Sequence, residues 1–141
     1  PVYRYARDII GCLNNRVSAW VDWNIVLDRQ GGPNHASNWC VAPVIADTAN
    51  GEVYFTPLYD ALRHFSHFIK PGATVVAWEG NVPDGLHLCV VQNPDGSLVI
   101  PILNTTEQEL TFNWNQDSQV LGKTQIPAAA LQTLVIQQND K

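Results

Sequence analysis

Apolar and polar positions follow two different periods along the chain, and the change of period divides it. From Val2 to Asn15, Tyr5, Ile9, Cys12 and Leu13 share one stripe at helical spacing, while Arg4, Arg7, Asp8 and Asn15 lie mostly elsewhere. That pattern predicts an amphipathic helix. Asn14-Asn15 can close it, since asparagine tolerates the left-handed backbone of a helix C-terminus. Between Val17 and Asn24 the period falls to two: Val17, Ala19, Val21 and Ile25 alternate with Ser18, Asp22 and Asn24. This is the pattern of a buried strand. Gly31-Gly32-Pro33 then breaks regular structure. Residues 39–56 read as irregular, with an apolar piece at Val41–Ile45 around Pro43, a turn at Asn50-Gly51 and a short strand at Val53–Phe55. Thr56 as N-cap and Pro57 at the first helical position open a second helix. Its stripe is Leu58, Leu62, Phe65 and Ile69, and Pro71-Gly72 is expected to stop it.

From Ala73 onward the pattern is all-β. Strands are predicted at Thr74–Trp78, Leu86–Gln92, Leu98–Leu103, Glu109–Trp114, about Gln119–Lys123, and Leu131–Gln137. Asn93-Pro94-Asp95-Gly96 is a tight hairpin loop. Leu110, Phe112 and Trp114 alternate with Thr111, Asn113 and Asn115, so that strand has one wet face. Pro101 argues for an edge position or a bulge. Short strands at this spacing predict an antiparallel sandwich. With no long linker before it, the sandwich is expected to pack directly on the helical part.

One stretch carries candidate chemistry. Trp20 and Trp23 flank an aspartate in the predicted strand, and the loop beyond gathers Asn34, His35, Asn38 and Trp39. An indole face packs on the C–H face of a pyranose, while amides and carboxylates bond its hydroxyls. The same residues also fit a tryptophan-rich core strand followed by a surface loop, because most buried aromatics only pack.

Bulk properties narrow the function classes. At 141 residues one sizeable core is the default. A formal net charge of -5 argues against a nucleic-acid partner. Residues 1–70 carry six Lys/Arg and six Asp/Glu, whereas residues 71–141 carry two and seven, which suggests two structural parts. The three cysteines, Cys12, Cys40 and Cys89, match no zinc spacing and read as reduced core thiols. No apolar run approaches the ~20 residues of a spanning helix, and no signal-peptide pattern is present. His64 and His67 sit three apart on the second helix without an evident third ligand, so packing is expected of them rather than a metal. There is no nucleophile-elbow sequence and no phosphate-binding glycine pattern.

The run Trp20-Val21-Asp22-Trp23-Asn24, followed by Leu27-Asp28, Gly31-Gly32-Pro33-Asn34 and Asn38, resembles glycoside hydrolase family 30, in particular its glucosylceramidase-type branch. The likeness continues through Ala42-Pro43-Val44-Ile45, the helix around His64–Ile69, and Pro71-Gly72. It implies an α+β chain: a C-terminal helix–strand–helix piece of a TIM (β/α)8 barrel over residues 1–72, followed by an antiparallel β-sandwich over 73–141. Val17–Asn24 would be the eighth barrel strand. The absence of methionine and the opening Pro1-Val2-Tyr3-Arg4 fit the expectation of a piece of a longer polypeptide.

Family members are retaining glycosidases with an acid/base glutamate after the fourth strand and a nucleophile after the seventh. Both strands would precede Pro1, so Glu52, Glu79, Glu107 and Glu109 are given no catalytic role. What the resemblance carries over is sugar binding. Trp23 would line the subsite, Asn38 would bond a hydroxyl, Trp39 would flank the mouth, and Asn24 and His35 would border it. Asp22 is expected to be structural, bonding loop amides or orienting a neighbour, and Trp20 to pack in the core. The implied partner is a β-glucoside or glycolipid substrate, with no cofactor or metal, no nucleic acid and no membrane span. A chain limited to these residues is expected to self-associate through its open barrel edges. Two other readings stand beside this one: a non-catalytic β-sandwich carbohydrate-binding or interaction module, and a family member acting on β-1,6-glucan or xylan.

Overall fold

A computed structural model describes residues 2–116 and 118–137. Pro1 and residues 138–141, the outer limits of the two expected parts, lie outside the described residues. Helix α1 (Val2–Asn14) forms where the stripe predicts it and buries Ala6, Ile9 and Ile10.

The strand expected over Val17–Asn24 does not form; the segment is irregular and the first strand, β1, is Val26–Asp28. Alternation makes a strand only where a neighbouring strand covers the apolar face. Here Val21 is 86% and Ile25 74% exposed. Side chains hold the segment instead: the Tyr5 hydroxyl donates to Asp22 and the Trp20 indole to Asp8. Trp20 packs half-buried against the core, as expected of it.

Strand β2 (Val44–Asp47) runs parallel to β1, with Val26 opposite Val44, and antiparallel to β3 (Glu52–Phe55). The turn between β2 and β3 carries the predicted Asn50-Gly51, with Gly51 at φ 69°. Buried Asp47 organises it, accepting from the Ala49 and Asn50 amides, the Asn50 side chain and Arg29. Helix α2 (Pro57–Ser66) is capped as expected, with Thr56 Oγ1 accepting from the Leu58 amide at 3.3 Å. It stops at Ser66, short of Pro71-Gly72. The cause lies across the chain: Asn93 donates to the Phe68 carbonyl and accepts from the Lys70 amide, both at 2.9 Å. These bonds engage backbone groups that another helical turn would use.

The remaining strands are β4 (Thr74–Val76), β5 (Leu86–Leu88), β6 (Val90–Gln92), β7 (Leu98–Asn104), β8 (Leu110–Gln116), β9 (Gln119–Ile126) and β10 (Ala130–Ile136). All pair antiparallel: a five-stranded sheet ordered β10-β7-β6-β4, with β5 also on β7, and a β8–β9 hairpin. The single strand expected over Leu86–Gln92 is interrupted at Cys89, and Pro101 supplies the reason. Facing residues in an antiparallel ladder exchange two bonds. Cys89 donates to the Pro101 carbonyl (3.4 Å), but proline has no N–H to return. Pro101 therefore marks a ladder break within the central strand β7 and not a sheet edge.

Both faces of the five-stranded sheet are covered. Leu86, Leu88, Val90, Ile100 and Ile102 pack with Ile126, Leu110, Phe112 and Trp114 of the hairpin layer. Cys89, Val91 and Leu103 pack with Ala6, Ile9, Ile10 and Phe65 of the helices. The class is α+β, and the sandwich sits directly on the helical part. Burial pushes the Cys89 thiol up to about 12, while Cys12 and Cys40 are free and half-buried.

Candidate functional site

The loop after β1 is built by its own first residues. Asp28 Oδ1 accepts from the Gln30 amide (2.8 Å) and the Gly32 amide (2.9 Å). Its backbone amide donates to the Gly32 carbonyl at 2.7 Å and its carbonyl accepts from Gly31 at 3.0 Å. Gly31 lies at φ 89°, and a Cβ there would overlap the Cys40 carbonyl. Only glycine fits both demands. The Gly31 carbonyl accepts from the Cys40 amide at 3.0 Å, which closes the base of the loop. Inside it, Asn34 Oδ1 accepts from the Asn38 amide at 3.1 Å. A Cβ on Gly32 would meet the Trp39 ring at 2.8 Å, so that indole rests against bare backbone.

The five residues expected to bind sugar are all accessible. Trp23 is 83% and Trp39 55% exposed; His35 and Asn38 are exposed and Asn24 is half-buried. Trp23 and Asn24 precede β1, whereas His35, Asn38 and Trp39 share the loop after it. Among the described residues no hydrogen bond or ring–ring contact joins the two groups. The cleft beside the loop, about 400 Å3, is lined chiefly by Leu27, Gly31, Val41, Ala42, Ile45 and Leu58 and contains none of the five.

Tyr5 is the residue that sequence reasoning missed. Its hydroxyl lies 3.0 and 3.1 Å from the two oxygens of Asp22, whose Oδ1 also accepts from the Trp23 amide at 2.8 Å. Burial raises the Tyr5 pKa first, followed by the bond to Asp22 and its charge. The available signal was a phenol at the polar border of an apolar helical stripe. Asp22 thus has a structural part, bonding the amide of the residue that follows it.

His64 Nδ1 lies 3.0 Å from Thr133 Oγ1, which donates to the His64 carbonyl at 3.0 Å, so this histidine joins α2 to β10. Burial lowers its pKa. His67 packs edge-on against Phe68. Among the described residues no three His, Cys, Asp or Glu side chains are grouped to hold a metal. The Glu52 carboxylate accepts from the Tyr54 hydroxyl on the exposed strand β3, and Glu79, Glu107 and Glu109 are exposed in the sandwich part.

Residues 2–69 match the sequence family described as the Glycosyl hydrolase family 30 TIM-barrel domain, and residues 72–134 match its beta sandwich domain. The chain belongs to glycosyl hydrolase family 30. Among family 30 relatives it is 38% identical over 138 residues to putative glucosylceramidase 1 of Caenorhabditis elegans, covering 94% of this chain and 26% of that protein. It is 31% identical over 130 residues to lysosomal acid glucosylceramidase of Mus musculus, covering 92% and 25%. The crystal structure of SrfJ from Salmonella typhimurium superposes with a TM-score of 0.91 at 28% identity, covering 98% of this chain and 31% of that one. The family 30 chain thus spans about a quarter of the length of the curated relatives it matches. None of its described helices is long and apolar enough to cross a membrane.

Proposed function

We propose that this chain is part of a retaining O-glycosyl hydrolase acting on β-glucosides or glucosylceramide, and that it contributes sugar-binding residues but not the two reacting glutamates. Residues 1–72 form the end of the catalytic barrel and residues 73–141 the sandwich beside it. The observation that carries the reading is the match of residues 2–69 and 72–134 to the two family 30 domains, within which Trp23 is accessible and its amide donates to the Asp22 carboxylate. A large aromatic left in water yet anchored at its backbone suits stacking on a sugar face. Similarity to glucosylceramidases supports the substrate class. Retaining chemistry requires two carboxyls about 5–5.5 Å apart. The position of Glu52 against Tyr54, with Glu79, Glu107 and Glu109 in the sandwich part, supports reacting groups supplied by other residues of a longer polypeptide.

The test is an assay of the purified, mass-verified chain. It should leave an aryl β-glucoside intact, and turnover would overturn the assignment of the reacting groups. Titration with methyl β-glucoside should quench indole fluorescence. Trp23→Ala should weaken that binding about tenfold, the equivalent of a ~1.4 kcal/mol stacking loss. Equal affinity of variant and wild type would remove Trp23 from the site.

A further inference from the structure

We propose that Tyr5 and Asp22 are positioning residues that fix Trp23 in place by tying its backbone to helix α1. Among the described residues no strand pairs with residues 17–25, so no ladder within this chain holds Trp23, and its exposed ring gains little from packing here. An aromatic platform free to wander loses the entropy of ordering each time it meets a ligand. A fixed platform needs an anchor elsewhere.

The anchor is a chain of side-chain bonds. Asp22 Oδ1 accepts from the Trp23 amide at 2.8 Å, which sets the backbone immediately before the ring. Both Asp22 oxygens face the Tyr5 hydroxyl, at 3.0 and 3.1 Å. A carboxylate is acceptor-only, so one phenol donor facing both oxygens orients the whole group. Tyr5 is steadied in turn by Trp20, whose ring meets it edge-on at 5.3 Å. The Trp20 indole nitrogen donates to Asp8 at 2.7 Å. Tyr5 and Asp8 are one turn apart on α1, and that helix is locked into the core by Ala6, Ile9 and Ile10. The position of Trp23 is thereby referred to a helix packed into the core. Burial and the Asp22 carboxylate both raise the Tyr5 pKa, which favours the protonated, donating phenol. With its oxygens engaged, Asp22 acts through Trp23 and not on substrate.

The functional half of this inference rests on Trp23 being the sugar platform; the structural half does not. The experiment separates them. Tyr5→Phe removes one oxygen and keeps the ring against Trp20. Amide hydrogen exchange at Trp23 should then rise about tenfold, the loss of one charge-assisted bond. Exchange in the cores of α1 and β7 should stay unchanged. Asp22→Asn, which keeps an acceptor for the Trp23 amide, should restrain exchange better than Asp22→Ala. In the same samples, affinity for methyl β-glucoside should fall severalfold in Tyr5→Phe and in Asp22→Ala. Trp23 exchange unmoved by Tyr5→Phe, or raised equally across the whole chain, would overturn the positioning role. If the wild-type chain does not bind the glucoside, the proposed function fails and the exchange data alone decide this inference.

Discussion

Asn104 closes β7 with its side chain wholly buried and every bonding capacity of its amide used. The nitrogen donates to the carbonyls of Gln108 (2.8 Å) and Pro127 (2.9 Å). The oxygen accepts from the Thr106 amide (2.9 Å) and hydroxyl (2.8 Å). Asn104→Ala removes four bonds at once, although the Thr106 hydroxyl keeps the Gln108 carbonyl, 3.1 Å away, as an acceptor. At about 1 kcal/mol net for each bond, the loss is ~4 kcal/mol. That is a large share of the ~5–15 kcal/mol typical of a domain. With a urea slope of about 2 kcal/mol per molar, the midpoint should fall by ~2 M. Asn104→Asp is the sharper probe, because it leaves no cavity. A carboxylate would face two carbonyl oxygens with no proton to offer, so at neutral pH it should cost at least as much as alanine. Burial and those two oxygens raise the folded-state pKa of this aspartate above its unfolded value of ~3.9. Its penalty is therefore full above the folded pKa and fades as pH falls towards the unfolded one. Urea melts of wild type and both variants between pH 7 and pH 4 read this directly. An alanine variant within about 1 kcal/mol of wild type, or an aspartate variant whose deficit ignores pH, would refute the reasoning.

Two further outcomes follow from the packing. Burial lowers the pKa of both His64 and His87, with Arg63 adding to the first and Arg7 to the second, while Asp60 opposes the shift at His64. The unfolded chain then takes up protons first, so the urea midpoint should hold above about pH 6.5 and drop as pH falls through it. His64→Gln should flatten that profile, and a variant as pH-sensitive as wild type would exclude His64 as a cause. Exposed Val21, Trp23, Ile25, Val41 and Phe55 crowd the barrel-derived part. The isolated chain should self-associate, more at higher concentration, in sedimentation velocity; a persistent monomer at every concentration would contradict this.

Where the sequence was legible, the signal was local. Thr56-Pro57 opens α2 because a hydroxyl cap and a residue lacking an N–H suit that position whatever lies around it. Leu110, Phe112 and Trp114 face the core because pleating sends alternate side chains to one side. The misplaced strand at Val17–Asn24 shows the opposite case. Its alternation is real, but strand formation depends on a partner, and the partner Val44–Asp47 aligns with Val26–Asp28 instead. The interruption at Cys89 is written at Pro101, twelve residues away, and becomes readable only once the two are known to face each other. Of the candidate site, Trp23, Asn38 and Trp39 were picked out by the resemblance of the run they belong to, and all three are exposed. Tyr5 was not, since its hydroxyl finds Asp22 only after the chain has turned back along α1.

Strand β7 has side chains committed in opposite directions: Ile100 and Ile102 towards the hairpin, Leu103 towards the helices. The two family modules matched by this chain therefore share a party wall. Removing residues beyond 72 would strip α1 and α2 of their floor, and transplanting the sandwich alone would bare the underside of its main sheet. Modules joined in this way depend on each other for burial, even where a sequence boundary invites the cut.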